Sequence, residues 1–264
     1  MNIYLRELKA NLKSLLIWCG VLGLLIVIAI TKYQAYAQNP EMLAILDSMP
    51  KAMLEAFSMT AFNLTTLTGF FGVMFIYFGL MVAIAAAMWG SDILSKEERN
   101  KTVEFSLVLP VSRSRVVTAK ALAALTNLAL FVLVTWGFSL LAAQKYAPEP
   151  AFYDFLALEM QGMFLIGLVF LALGLLLGAA MQQYKRSGSL AIAIILTAYS
   201  LSVASGLDER LEFLRYFTPF QYFDAAKLLH DGHLDGLYVL LSLVLVAVML
   251  AAGYWRYNRR DLYI

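Results

Sequence analysis

The chain has 264 residues, 61% of them hydrophobic and only 14% charged, whereas about a quarter of an ordinary soluble domain is charged. This balance excludes a soluble globular protein, and no polar stretch exceeds about 30 residues, too few to build an independent core. A net charge of +2, with no recognised DNA- or RNA-binding motif, gives no reason to expect a nucleic-acid partner.

A helix needs about 20 apolar residues to cross a hydrocarbon core of ~30 Å. Six runs approach or exceed that length, at 15–31, 62–88, 122–143, 160–180, 189–205 and 237–255. They are continuously apolar instead of alternating, so helices and not barrel strands are expected, each satisfying its own backbone groups. With both termini inside, 14 of the 20 basic residues fall in cytoplasmic segments, as the positive-inside pattern favours. The expected fold is all-α, one polytopic transmembrane domain over residues 1–264.

Residues 1–13 come first. Met1, Leu5, Leu8 and Leu12 make one apolar stripe while Arg6, Lys9 and Lys13 share another face, which predicts an interfacial amphipathic helix on the inner leaflet. The same charges also serve as a basic flank that sets topology. The apolar run behind them, followed by Ala35-Tyr36-Ala37, has the outline of a cleaved signal, but its length and the intervening Lys32 favour a retained helix. Cys19, the only cysteine, lies in that run as a buried structural thiol and leaves no internal disulfide to form.

The loop 32–61 carries Pro40 and Pro50 and a stripe of Met42, Ile45, Leu46, Met49 and Met53, predicting short helices against the outer face. Without His or Cys neighbours the methionines read as packing and not as a metal box. Within the spans, Gly79, Ala83 and Ala87, and Gly174 with Gly178, recur at the spacing that lets helix backbones approach.

The polar stretch 91–120 sits between the second and third runs. Ser95 followed by Glu98 reads as a capping box, predicting a helix from Ser95 toward Leu109, where Pro110 stops it; Ser112 offers the next N-cap. Acidic Glu97, Glu98 and Glu104 and basic Lys96, Arg99 and Lys101 share this stretch with apolar Val103, Phe105 and Leu107. A solvated loop explains the charges, and a helix docked in a groove on a cytoplasmic partner explains the apolar residues as well.

The order Glu98, Thr102, Glu104, Phe105, Leu107, Pro110, Ser112, Arg113 and Lys120 resembles the segment after the second membrane helix of ABC-2 type transporter permeases, with Lys101 where the pattern usually has Gly. In the outer loop 206–236, Tyr216-Phe217-Thr218-Pro219-Phe220-Gln221-Tyr222-Phe223 is similar to the Ser-Pro-Phe-aromatic stretch before that family's last crossing, with Thr218 in place of Ser. The resemblance implies a coupling helix that seats on a cytoplasmic ATPase subunit, with Ser95, Glu97, Glu98, Thr102, Glu104, Phe105 and Pro110 at the contact and Arg113 anchoring the turn. It also implies a re-entrant outer gate at Thr218, Pro219, Phe220 and Tyr222. A second permease copy or close paralogue, in the bacterial cytoplasmic membrane, would complete an exporter.

The chain lacks G-x-x-x-x-G-K-[ST], so ATP and magnesium would be held by the ATPase partner and no cofactor by this chain. His230-Asp231-Gly232-His233 lacks the spacing of a helical zinc motif. Glu97-Glu98 lacks the arginine and the intramembrane histidine that a membrane protease of the CAAX type would add. Asp92 and Glu159 are expected at helix ends, leaving only uncharged groups such as Asn63, Thr65, Thr66, Thr126, Asn127, Thr135 and Ser202 within the crossings. That favours a hydrophobic or amphipathic cargo, a peptide above all, over a proton or an ion. The rival from another class is a non-transporting scaffold that recruits a partner through the same loop.

Overall fold

In the computed structural model, the described residues are 2–37, 62–99, 112–181, 184–207 and 209–259, with positions 48, 50 and 54 besides. Among them lie eight α-helices: α1 Ile3–Tyr36, α2 Leu67–Arg99, α3 Arg113–Ala143, α4 Pro150–Ala180, α5 Tyr184–Leu207, α6 Pro219–Tyr222, α7 Ala225–Asp231 and α8 Gly236–Arg259. Six of these, α1 to α5 and α8, are long and apolar enough to cross a membrane. The described residues also include short 3-10 turns at Gln144–Tyr146 and Glu209–Phe217. The predicted helices of the Met-rich loop lie outside the described residues.

Two parallel helices form the centre. Of the most apolar stretch of α2, 67% is buried, and 61% of that of α4, against 22% for each of α1, α5 and α8. Glycine makes this closeness possible. A Cβ on Gly174 would stand 2.3 Å from the Ala87 carbonyl oxygen, one on Gly178 2.6 Å from that of Ser91, and one on Gly90 2.5 Å from that of Leu171. The small residues seen in the sequence on two separate segments therefore meet each other, backbone to backbone. Around this pair α1 leans on α3, α5 lies against α2 and α4, and α8 runs along α4.

Contacts at the helix ends fix the topology. The starts of α1, α3 and α5 and the ends of α2, α4 and α8 gather at one end of the bundle, which we call the terminal end; α6, α7 and both 3-10 turns cover the opposite end. Ser112 caps α3 as the sequence predicts, accepting from the Arg115 amide at 3.3 Å. Ala147, in the left-handed region at φ 45°, turns the chain between α3 and α4, and Gly232 at φ 68° ends α7.

Two expectations change. Residues 3–13 are not a separate interfacial helix: α1 runs unbroken from Ile3, since nothing between Lys13 and Leu15 interrupts helical hydrogen bonding. Its buried face is Glu7, Asn11 and Leu15, while Leu5 and Leu12 on the opposite side are about half exposed at 53% and 52%. Nor does a helix begin at Ser95. That residue is interior to α2, and its hydroxyl donates to the Ser91 carbonyl at 2.7 Å. Such back-bonding to the fourth residue before satisfies a serine inside a helix and leaves no free side chain for a capping box.

Candidate coupling region and outer gate

At the terminal end, α2 and α3 present the stretch between them. Glu97 and Glu98 belong to the last turn of α2, whereas Thr102, Glu104, Phe105 and Pro110 lie outside the described residues. Arg113 opens α3 and donates from Nη1 to the Asn258 carbonyl at 3.4 Å. Ser114 bonds the Asn258 side chain, and Thr118 pairs with the Tyr254 hydroxyl at 2.8 Å. The first turns of α3 are thus tied to the last turns of α8.

Polar contacts between residues far apart in sequence hold α1, α2 and α3 together. Glu7 of α1, 1% exposed, pairs with Lys96 of α2, and Arg6 donates to the same carboxylate at 3.3 Å. The Trp89 indole donates to Ser14 at 3.0 Å, and the Tyr4 hydroxyl meets Thr126 at 3.0 Å. Lys120 is fully buried and donates from Nζ to the Ile93 carbonyl at 2.8 Å, fixing α3 to the backbone of α2. A buried ammonium needs such an acceptor, because desolvation without one is costly. Nothing in the sequence pairs these groups with one another; only the antiparallel return of α2 along α1 brings Lys96 to Glu7.

The opposite end is aromatic. Thr218 stands at the N-cap position of α6, with Pro219 in its first turn. Thr218, Phe220, Tyr222 and Phe223 are buried, so the segment packs into the core of the bundle. Phe220 packs against Phe170 and Tyr199 at ring distances of 5.4 and 6.1 Å, and Tyr222 stacks on Tyr238 at 5.2 Å with an interplanar angle of 11°. Gln221 donates to the Ser202 carbonyl at 3.0 Å, and the Tyr222 hydroxyl to that of Tyr216 at 2.5 Å. Asp224 then caps α7, accepting from the Ala226 and Lys227 amides; burial pushes its carboxyl above the usual aspartate range, opposed by the Lys227 amide and charge.

Glu159 is a correction. It lies nine residues inside α4, not at a helix end, because the helix begins at Pro150, well before the apolar run. The residue is 1% exposed, and its Oε1 has no hydrogen-bond partner among the described residues. Most of the uncharged polar groups serve local structure: Asn63 accepts from Thr65 and Thr66 donates to the Asn63 carbonyl at the entrance to α2, and Thr135 donates to the Phe131 carbonyl. Asn127 and Ser202 are exceptions, both buried, with Asn127 Nδ2 and Ser202 Oγ unpartnered among the described residues. The two histidines sit on the exposed α7 corner, His230 Nδ1 at 2.8 Å from Asp231 and His233 Nδ1 at 2.8 Å from the Asp231 carbonyl.

The family model for ABC-2 family transporter proteins matches residues 1–262, nearly the whole chain. The chain belongs to the ABC-2 transporter family. Membership and the six apolar helices together make it a multi-pass membrane protein with a permease role, in a family whose membrane components work with an ATPase subunit. No curated protein matches it. For an ABC-2 permease, the clasped terminal end and the buried aromatic end are the two ends of the bundle that a conformational change would have to link.

Proposed function

We propose that this chain is the transmembrane subunit of an ATP-driven exporter that moves a hydrophobic or amphipathic cargo, such as a peptide, out of the cytoplasm or inner leaflet. The carrying observation is the family match across residues 1–262. Both termini face the cytoplasm on this reading, so the stretch 100–111 meets a cytoplasmic ATPase that holds ATP and magnesium. A second permease copy or close paralogue encloses the pathway. Nucleotide-driven closure of the ATPases pushes on the α2–α3 connection and shifts the bundle between inward- and outward-open populations.

Apolar cargo suits the surfaces available. A groove of about 510 Å³ between α3 and α4 is walled by Val132, Leu133, Trp136, Met160, Phe164 and Leu165, and a smaller one of about 180 Å³ lies among α3, α4 and α8. Neither is lined by a charged side chain.

The test is co-purification from the native membrane in mild detergent, followed by ATPase assay. A stoichiometric P-loop ATPase is expected. Replacing Glu98 and Glu104 together with Ala should weaken ATPase docking or uncouple it by about tenfold, within the usual range of coupling energies, while membrane insertion is unchanged. An unaltered complex with unaltered nucleotide response counts against these contacts.

A further inference from the structure

We infer that the buried Glu7–Lys96 pair is a latch that makes α1 follow the end of α2 during the nucleotide cycle. The inference rests on the exporter reading above and names two positioning residues that reading does not contain. Three observations carry it. Lys96 lies three residues before the end of α2 at Arg99, where the stretch toward the ATPase begins. Glu7 is 1% exposed and the Lys96 side chain 13%, so the pair is shielded from water and from screening by salt. And α1 leans mainly on α3 along its length, touching α2 only sparsely, so its grip on α2 depends on a few specific contacts.

Those contacts share one register. Moving seven residues along α1, from Glu7 to Ser14, corresponds to moving seven back along α2, from Lys96 to Trp89. Near the other end of the same two helices Tyr33 packs on Phe70 at 5.2 Å. Apolar faces alone tolerate a slide of one helix past another, whereas a buried ion pair is satisfied in one position only, which is the best-attested use of such pairs. A push on Lys96 is therefore delivered to Glu7 and drags α1 with it. Arg6, donating to the Glu7 carboxylate at 3.3 Å from the neighbouring position of α1, fixes that carboxylate to the helix it has to carry.

The experiment uses the chain in nanodiscs with its co-purified ATPase. Cys19→Ser removes the native thiol, and Leu237→Cys at the exposed start of α8, 63% exposed, carries an environment-sensitive fluorophore at the end far from the ATPase. MgATP with vanadate is the probe. Glu7→Gln with Lys96→Met removes both charges, leaving neither buried alone, so this double variant folds. It is expected to keep ATPase binding and turnover but lose about tenfold of the fluorescence response per ATP hydrolysed. The exchanged pair, Glu7→Lys with Lys96→Glu, is expected to regain at least half of that response, which a merely structural role would not produce once both complexes are assembled. A full response in the double variant overturns the latch, as does an assembled exchanged pair no better than the double variant. No response and no bound ATPase in the unmutated chain overturns the exporter reading itself, and the latch with it.

Discussion

The two ends of the bundle are held by different physics. At the terminal end, Glu7–Lys96, Trp89–Ser14, Tyr4–Thr126 and Lys120–Ile93 join three helices through polar contacts between residues far apart in sequence. From mid-bundle to the other end, Phe170, Tyr199, Phe220, Tyr222 and Tyr238 interlock mainly through ring contacts. Polar contacts in a low-dielectric interior are directional and fail abruptly when one partner is lost. Ring packing is graded in area and accepts small displacements. The terminal end is therefore built to keep register, and the aromatic end to yield gradually.

Both depend on α2 and α4, so the largest effect comes from parting that pair. Gly174→Leu drives a side chain into the Ala87 carbonyl, a backbone atom that cannot swing aside. Size-exclusion chromatography in detergent should show loss of the monodisperse species. If the variant elutes and melts like the parent protein, the central pair is not what supports both ends.

Next come the polar contacts. Lys96→Met alone leaves Glu7 buried with only Arg6 beside it and should cost about 3–5 kcal/mol, the usual penalty for stranding one member of a buried pair. Adding Glu7→Gln should recover most of that loss in thermal melts. This non-additivity is the signature of the directional end. At the aromatic end, Phe220→Ala removes a ring that is 3% exposed and should cost about 3 kcal/mol, a value near the low end for buried phenylalanine because the neighbouring rings can close in. Combined with Tyr238→Leu the losses should add more nearly than at the other end, since Phe220 and Tyr238 share no direct ring contact. Strong coupling between them would erase the contrast.

What was legible in the sequence follows the same divide. The six spans could be read because apolar length is a local property, and Ser112 could be read because an N-cap acts within three residues. Ser95 carried an equally good local signature and was misread, because a serine can bond back to its own helix as well as cap a new one. Glu159 was misplaced because the apolar run starts at Met160 while the helix starts at Pro150. The pairing of Glu7 with Lys96 gave no local signal: Glu7 lies among the basic residues of the first segment and Lys96 beside Glu97 and Glu98, and the two meet only once α2 has returned along α1. The aromatic segment was visible as a cluster of rings around Pro219, but its burial was not, since exposed and buried aromatic segments have the same composition.

The smallest expected effect separates the two ends by pH. Asp224 is outside the crossings, and burial raises its carboxyl above the ordinary value of 3.8, with the Lys227 and Ala226 amides and the Lys227 charge pulling the other way. A raised aspartate binds its proton more tightly in the folded chain than in the unfolded one. Between 3.8 and the raised folded value the native state holds more protons, so stability falls as pH rises through that window and recovers as pH falls. The α6–α7 region should accordingly become slightly more resistant to thermal unfolding on mild acidification. Asp224→Asn keeps an N-cap acceptor for the Ala226 and Lys227 amides and should flatten this dependence, read by Tm across a pH series. The opposite slope, with stability rising through the same window and abolished by Asp224→Asn, would mean that the two amides and Lys227 outweigh burial, and that the aromatic end too is governed by directional polar contacts.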